Sequence, residues 1–235
     1  MTDPVLADPA ALAAYAADWL VQRLLEQPGP LAVALSGGST PKLLYGLLAQ
    51  PPHLARLPWD RAHWFWGDER FVPPDDPRSN YRMTMEAMLR RAPVPAANIH
   101  PIPTEGVTPA QAAQRYEAGL QAFHGNDRLL ARPLFHVVLL GLGTNGHTAS
   151  LFPGTPALDE RTAWAAPVSP AGEPTRITLT YPALESCRHA AFLVAGADKR
   201  DVLARVRGGD ETLPAARYRP AGALHWFTDK EAAGV

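Results

Sequence analysis

Two rhythms of apolar residues alternate along this chain. Leu12, Tyr15, Ala16, Trp19 and Leu20 recur at helical spacing, with Asp18, Gln22 and Glu26 on the other face. Asp8-Pro9 suits the start of that helix, with Asp as N-cap and Pro at the first helical position. Pro28-Gly29-Pro30 ends it. Leu31–Leu35, LAVAL, is instead a continuous apolar run, the pattern of a strand covered on both faces.

The same alternation continues. A turn, SGGSTP, leads to a second helix, with Thr40 as its cap and Leu43, Leu44, Leu47 and Leu48 as its apolar stripe. Ala62–Trp66, AHWFW, reads as a buried strand opening onto GDER. A proline- and aspartate-rich loop follows, then a helix from about Asn80. Thr108-Pro109-Ala110-Gln111 is a capping-box start for a helix to about His124. Phe135–Leu140, FHVVLL, is the clearest strand. Residues 176–180 alternate as a strand does, and AAFLVAG is another apolar run, followed by a helix over 198–207. A last strand covers 223–227. Strands alternating with helices predict an α/β fold: a doubly wound, mostly parallel sheet with helices on both faces, in one domain over 1–235. In such sheets ligands bind at the carboxyl ends of strands.

Composition narrows the function classes. Hydrophobic residues are 46% and charged residues 19% of the 235, so a sizeable core can form. The net charge is −1 and no basic block stands out, which disfavours nucleic acid as a partner. The single cysteine, Cys187, makes neither an internal disulfide nor a cysteine-rich metal site, and its context reads as the entry to a buried strand. The N-terminal segment has acids where a signal peptide needs bases, and no apolar run is long enough to span a bilayer. A cytoplasmic protein, without membrane contact and monomeric, is expected.

Three strand ends open onto loops that can carry chemistry. In Ser36-Gly37-Gly38-Ser39-Thr40-Pro41, two glycines let the backbone turn tightly ahead of a helix N-terminus, a cradle for a phosphate or carboxylate. It is not a Walker A loop, because Lys42 is followed by Leu43. Gly67-Asp68-Glu69-Arg70 follows a buried strand and precedes Asp75, Asp76, Ser79, Asn80 and Tyr81. Arg70 can hold a phosphate in a bidentate fork, or Asp68, Glu69 and Arg70 can pair with one another. Asp75 and Asp76 also suit a plain turn.

The third loop is GLGTNGHTASLFP, 141–153. Gly141, Gly143 and Gly146 match G-x-G-x-x-G, but Pro153 leaves no room for the helix of a dinucleotide site, and no acid stands where a ribose partner belongs. The glycines are better read as backbone made permissive for close ligand approach, with His147 at the rim. If TAS opens a helix, its dipole lowers the His147 pKa by at most about 1.5, leaving a neutral general base at pH 7. The other seven histidines read as structural. Arg176 opens its alternating strand, and Lys199 lies in GADKR where a second phosphate contact fits. No G-x-S-x-G elbow is present, so a serine nucleophile is disfavoured.

LSGGSTP, GDERFVPPDDPRSNY, LLGLGTNGHTASLFP, and the spacing from TRITLT to VAGADKR together resemble the 6-phosphogluconolactonase family, within a superfamily that includes glucosamine-6-phosphate deaminase. The blocks run in family order over most of the chain. Ser150-Leu151-Phe152-Pro153 matches the lactonase and not the deaminase. The resemblance implies a Rossmann-like, deaminase-like fold and hydrolysis of a sugar-phosphate lactone with no cofactor and no metal. It implies proton transfer by His147 and contacts to substrate or phosphate from Arg70, Lys199 and the loop of Ser36, Gly37, Gly38, Ser39 and Thr40. Asn80, Arg176 and Gly143 join the candidate set, with N–H groups near Gly143 expected to steady an oxyanion. One departure stands out: the family pattern has aspartate before Gly-His, and this chain has Asn145. Asparagine hydrogen-bonds there but cannot accept a proton.

Overall fold

The computed structural model describes residues 3–125, 129 and 132–235. Ten strands occur among them: β1 (Val5–Leu6), β2 (Leu31–Leu35), β3 (Ala62–Trp66), β4 (Asp68–Arg70), β5 (Ile99–His100), β6 (Phe135–Leu140), β7 (Ala165–Val168), β8 (Arg176–Leu179), β9 (Cys187–Val194) and β10 (Ala223–Asp229). Seven of them form a sheet in the order β1-β10-β9-β6-β2-β3-β5, with every neighbour pair parallel. The chain leaves β2 through β3 and β5 in one direction, then returns to β6 on the other side of β2. This doubly wound order puts the topological switch point between β2 and β6, where Val33 pairs with Val137 and Ala34 with Val138.

The helices are α1 (Pro9–Leu25), α2 (Ser39–Leu48), α3 (His53–Arg56), α4 (Asn80–Thr84), α5 (Pro109–His124), α6 (Tyr181–Glu185), α7 (Arg200–Arg207), α8 (Pro214–Arg217) and α9 (Lys230–Ala233). None is long and apolar enough to cross a membrane. Asp8 caps α1 by accepting from the Ala11 N–H at 2.8 Å. Thr108 and Gln111 close the capping box of α5, and Gly125 ends it in the left-handed conformation. α4 runs on into a single π turn over Met85–Leu89.

Every residue of β2 is fully buried, so both faces of the sheet are covered at its centre. In β3 successive side chains point to opposite faces. Trp64 meets Trp59 at 5.6 Å between ring centroids, while Phe65 sits among His100, Phe123 and Phe135. Each such ring buries apolar area contributing roughly 1.5–3 kcal/mol. Cys187 opens β9 fully buried, and desolvation pushes its thiol up to about 11.

Several expectations need correction. The buried stripe of α2 is Pro41, Leu44, Tyr45 and Leu48, and Leu43 is 47% exposed. The helix begins two residues earlier than expected, at Ser39 after Gly38 (φ 110°), so Thr40 lies inside it and does not cap it. GDER is not simply a loop: Asp68–Arg70 is a strand. It pairs antiparallel with β8, which pairs with β7, in a second sheet of three strands that the apolar pattern did not predict. The segment 198–207 opens with a 3-10 turn over Ala197–Lys199 before α7. The last strand continues to Asp229 because its final residues are buried.

Candidate active site

β2, β6 and β9 end along one side of the sheet, and their loops wall a single cleft of about 280 Å³. Ser36, Gly37, Gly38, Ser39 and Thr40 form one wall. Arg70, Asn80 and Arg176 come from the small sheet and α4. Gly143, His147 and Lys199 complete the cleft. The expected proton-transfer and phosphate-contact residues therefore line the same cavity, whereas Glu69, Ser79 and Tyr81 of the GDER segment face elsewhere.

The first wall is held from within. The Tyr45 hydroxyl of α2 donates to the Ser36 carbonyl at 2.8 Å and accepts from the Ser36 N–H at 3.0 Å. Burial of that phenol pushes its pKa far above the ordinary tyrosine value. The N–H groups of Ser39 and Thr40 lie in the first turn of α2, where no helical carbonyl reaches them. Gly37 is needed for a neighbour: a Cβ there would lie 2.1 Å from Asn80 Oδ1.

The GDER strand divides its labour. Glu69 is buried and accepts from the N–H groups of Arg70, Asn80 and Tyr81 at 2.7–2.8 Å and from Ser79 Oγ at 3.0 Å. Burial raises its carboxyl above the usual range, and the four donors oppose that shift. It is thus a structural clamp on the start of α4, turned away from the cleft. Arg70 donates to the Arg78 carbonyl (2.7 Å) and Asn80 Oδ1 (2.9 Å), and its Nε is buried without a partner. Asp68, Glu69 and Arg70 do not pair with one another: no carboxylate among the described residues forms a salt bridge with Arg70. Asp76 binds Arg78 through its side chain and backbone, which fits its turn reading.

Asp68 was not among the residues expected to form the site. Its carboxylate accepts from Ser150 Oγ at 2.6 Å and lies 3.7 Å from Arg176 Nη1. Asn80 Nδ2 donates to its backbone carbonyl. Asp68 thus ties the second loop to the third, 82 residues away. Nothing in the sequence joins Asp68 to Ser150; the two meet because Asp68 pairs with Thr178 of β8, whose Oγ1 accepts from the Ser150 N–H. Arg176 also pairs with Glu173, and its guanidinium lies 5.2 Å from the centre of the Phe152 ring. Lys199 pairs with the exposed Asp198 at 3.0 Å. The turn before it is held by the buried Asp229, which accepts from the Gly196 N–H.

His147 stacks on Phe152 with ring centroids 4.3 Å apart. Its Nδ1 lies 2.6 Å from Asn145 Oδ1, which also accepts from the His147 N–H at 3.2 Å. Residues 148–150 do not open a helix. Thr148 and Leu151 form an isolated bridge, and Ala149 takes φ 47°. The helix-dipole explanation for a low His147 pKa therefore fails, yet the pKa is lowered all the same, chiefly because the ring is desolvated. Asp68 and Glu173 oppose that shift; Arg176 and Lys199 reinforce it. The Gly143 N–H is not free for an oxyanion either, because it donates to the His147 carbonyl at 2.8 Å. Gly143 instead makes room, since a Cβ there would lie 2.0 Å from His147 Nδ1.

Cations, helix N–H groups and a histidine with a lowered pKa surround one cleft at the switch point of an α/β sheet, an arrangement suited to a small anion beside a proton-transfer group. Residues 7–226 match the family model described as glucosamine-6-phosphate isomerases/6-phosphogluconolactonase, and the chain belongs to that family. A 6-phosphogluconolactonase of Nostoc sp. is 44% identical, with the match covering 98% of this chain and 96% of that protein. One of Synechocystis sp. is 42% identical over 90% of this chain and 87% of its own. Among solved structures, a 6-phosphogluconolactonase from Trypanosoma cruzi superposes with a TM-score of 0.87 at 32% identity, covering 98% of this chain and 94% of that one. A monomeric glucosamine-6-phosphate deaminase shares the fold at a TM-score of 0.82 and 19% identity, covering 100% of this chain and 99% of its own.

Proposed function

We propose that this protein hydrolyses 6-phospho-D-glucono-1,5-lactone to 6-phospho-D-gluconate, a step of the oxidative pentose phosphate pathway. No cofactor enters the reading, and it makes the protein a cytoplasmic monomer. The observation that carries it is the placement of a neutral His147 in the same cleft as Arg70, Arg176, Lys199 and the N-terminus of α2. The lactonase names of its relatives support the choice of substrate.

A δ-lactone is an activated ester. Its hydrolysis needs a directed water, stabilisation of the developing oxyanion and a proton for the ring oxygen that leaves. In this reading His147 takes a proton from water as the water oxygen bonds to the lactone carbonyl carbon. The tetrahedral intermediate then collapses, breaking the bond to the ring oxygen, and the imidazolium returns the proton to that oxygen as it leaves. The new carboxylic acid ionises in solution. With the Gly143 N–H occupied, the negative charge of the intermediate is stabilised by the cations of the cleft. The first turn of α2 and the remaining cations hold the phosphate.

The test is a lactonase assay with substrate generated in place by glucose-6-phosphate oxidation and corrected for spontaneous hydrolysis. An ammonia-release control with glucosamine 6-phosphate runs beside it. General base catalysis contributes roughly 10²–10⁴-fold, so His147→Ala should lose at least about tenfold in turnover with little change in KM. Unchanged turnover rejects the role of His147, and ammonia release without lactonase activity rejects the reaction.

A further inference from the structure

The loop that carries His147 also determines which of its ring nitrogens is basic. The His147 backbone N–H can only donate, and the side-chain atom it meets at 3.2 Å is Asn145 Oδ1. With the amide turned over, two donors would face each other, so this contact fixes the amide orientation. The same oxygen lies 2.6 Å from His147 Nδ1. An amide oxygen has only lone pairs to offer, so Nδ1 carries the hydrogen. A neutral imidazole has one N–H, which leaves Nε2 with the lone pair. No group among the described residues is hydrogen-bonded to Nε2. Stacking on Phe152 and the bare Cα of Gly143 hold the ring plane in which this bond forms.

We infer that Asn145 is a positioning residue that holds neutral His147 as its Nδ1–H tautomer and keeps Nε2 as the proton acceptor, without adding charge beside the ring. A carboxylate at the same position would select the same tautomer but would also stabilise imidazolium. The charged groups around the ring are Asp68 and Glu173, which favour imidazolium, and Arg176 and Lys199, which oppose it. Asn145 leaves that balance untouched, so burial prevails and the base stays unprotonated below the ordinary histidine range. Only the kinetic part of this inference rests on the lactonase reading; the tautomer does not.

The experiment is 15N NMR of the full chain labelled at histidine, with the His147 signals assigned by their loss in His147→Gln. At pH 8 the wild type should show a pyrrole-type Nδ1 and a pyridine-type Nε2. The reverse pattern, or an average of the two, overturns the inference without need of any variant. In Asn145→Asp the tautomer should persist while the imidazole pKa rises by about one or more. The acid limb of kcat/KM should move by the same amount. Asn145→Ala should show averaged tautomers and at least about a tenfold loss in kcat at unchanged KM. A His147 titration unmoved in Asn145→Asp also overturns the inference. If the wild type shows the Nδ1–H tautomer but no lactonase activity, the proposed reaction falls and the role of Asn145 stands.

Discussion

Replacing Gly143 with alanine separates the placement of His147 from everything else in the cleft. Gly143 is not among the glycines in the left-handed region, so the backbone itself accepts a side chain there. The added Cβ would lie 2.0 Å from His147 Nδ1 and 2.1 Å from Cε1. Ordinary contact begins near 3.4 Å, so the ring must retreat by about 1.4 Å. That retreat breaks the bond to Asn145 and spoils the stack on Phe152, a loss of about 1–2 kcal/mol in stability. Misplacing a reacting group by about 1 Å costs on the order of 100-fold in rate, or about 2.7 kcal/mol of barrier. Gly143→Ala should therefore lose about 100-fold in kcat, while KM stays within about twofold because the phosphate contacts lie elsewhere. Steady-state lactonase kinetics and thermal unfolding measure the two effects. Turnover within about threefold of wild type, with the ring displaced in a crystal structure of the variant, would refute the claim that ring placement limits the rate.

Three further outcomes probe the scaffold. Glu69→Ala strands four donors, two of them buried and three at the start of α4, and should cost at least about 3 kcal/mol in chemical denaturation; a smaller loss would mean that water replaces the carboxylate. Gly119→Ala, in the middle of α5 with open space around the new Cβ, should stabilise by roughly 0.5–1 kcal/mol in the same measurement. Burial lowers the His100 pKa from 6.5 to about 4, so the folded protein binds fewer protons there than the unfolded chain does between those values. The stabilising contribution of neutral His100 is complete above about pH 6.5 and is lost as pH falls towards 4. His100→Gln should flatten the stability-versus-pH curve in that window, and an unchanged slope would contradict the assignment.

The parts of the fold legible in the sequence were those governed by burial on both faces or by a cap. LAVAL has no polar residue and FHVVLL only His136 to interrupt the pattern, and Asp8 and Thr108 announced their helices. The small sheet escaped for physical reasons. Asp68–Arg70 is all charged; the Asp68 carboxylate is satisfied by Ser150, 82 residues on, and Glu69 by donors at the start of α4. Ala165–Val168 contains Pro167, which is tolerated because β7 lies at an edge of its sheet. β1 and β5 have two residues each, too few for any periodicity. Leu43 shows the opposite failure, an apolar residue that keeps helical spacing yet faces solvent. In the site, residue types and strand ends were enough to bring the candidates to one cleft. The bond from Ser150 to Asp68, the occupied Gly143 N–H and the missing helix after His147 follow from the path of the backbone, which spacing alone does not specify.

The switch point at β2 and β6 also sets when the cleft can exist. Ala32 and the His136 ring that bonds to it are 104 positions apart, and the 36–40 turn leaves β2 while the His147 loop leaves β6. The two halves stay apart until a long loop has closed, the slow kind of event in folding. A nascent chain that ends before β6 holds the 36–40 turn without His147. Recovery of the proposed turnover after dilution from denaturant should therefore follow the closing of the sheet at its centre, rather than the formation of any one helix or loop.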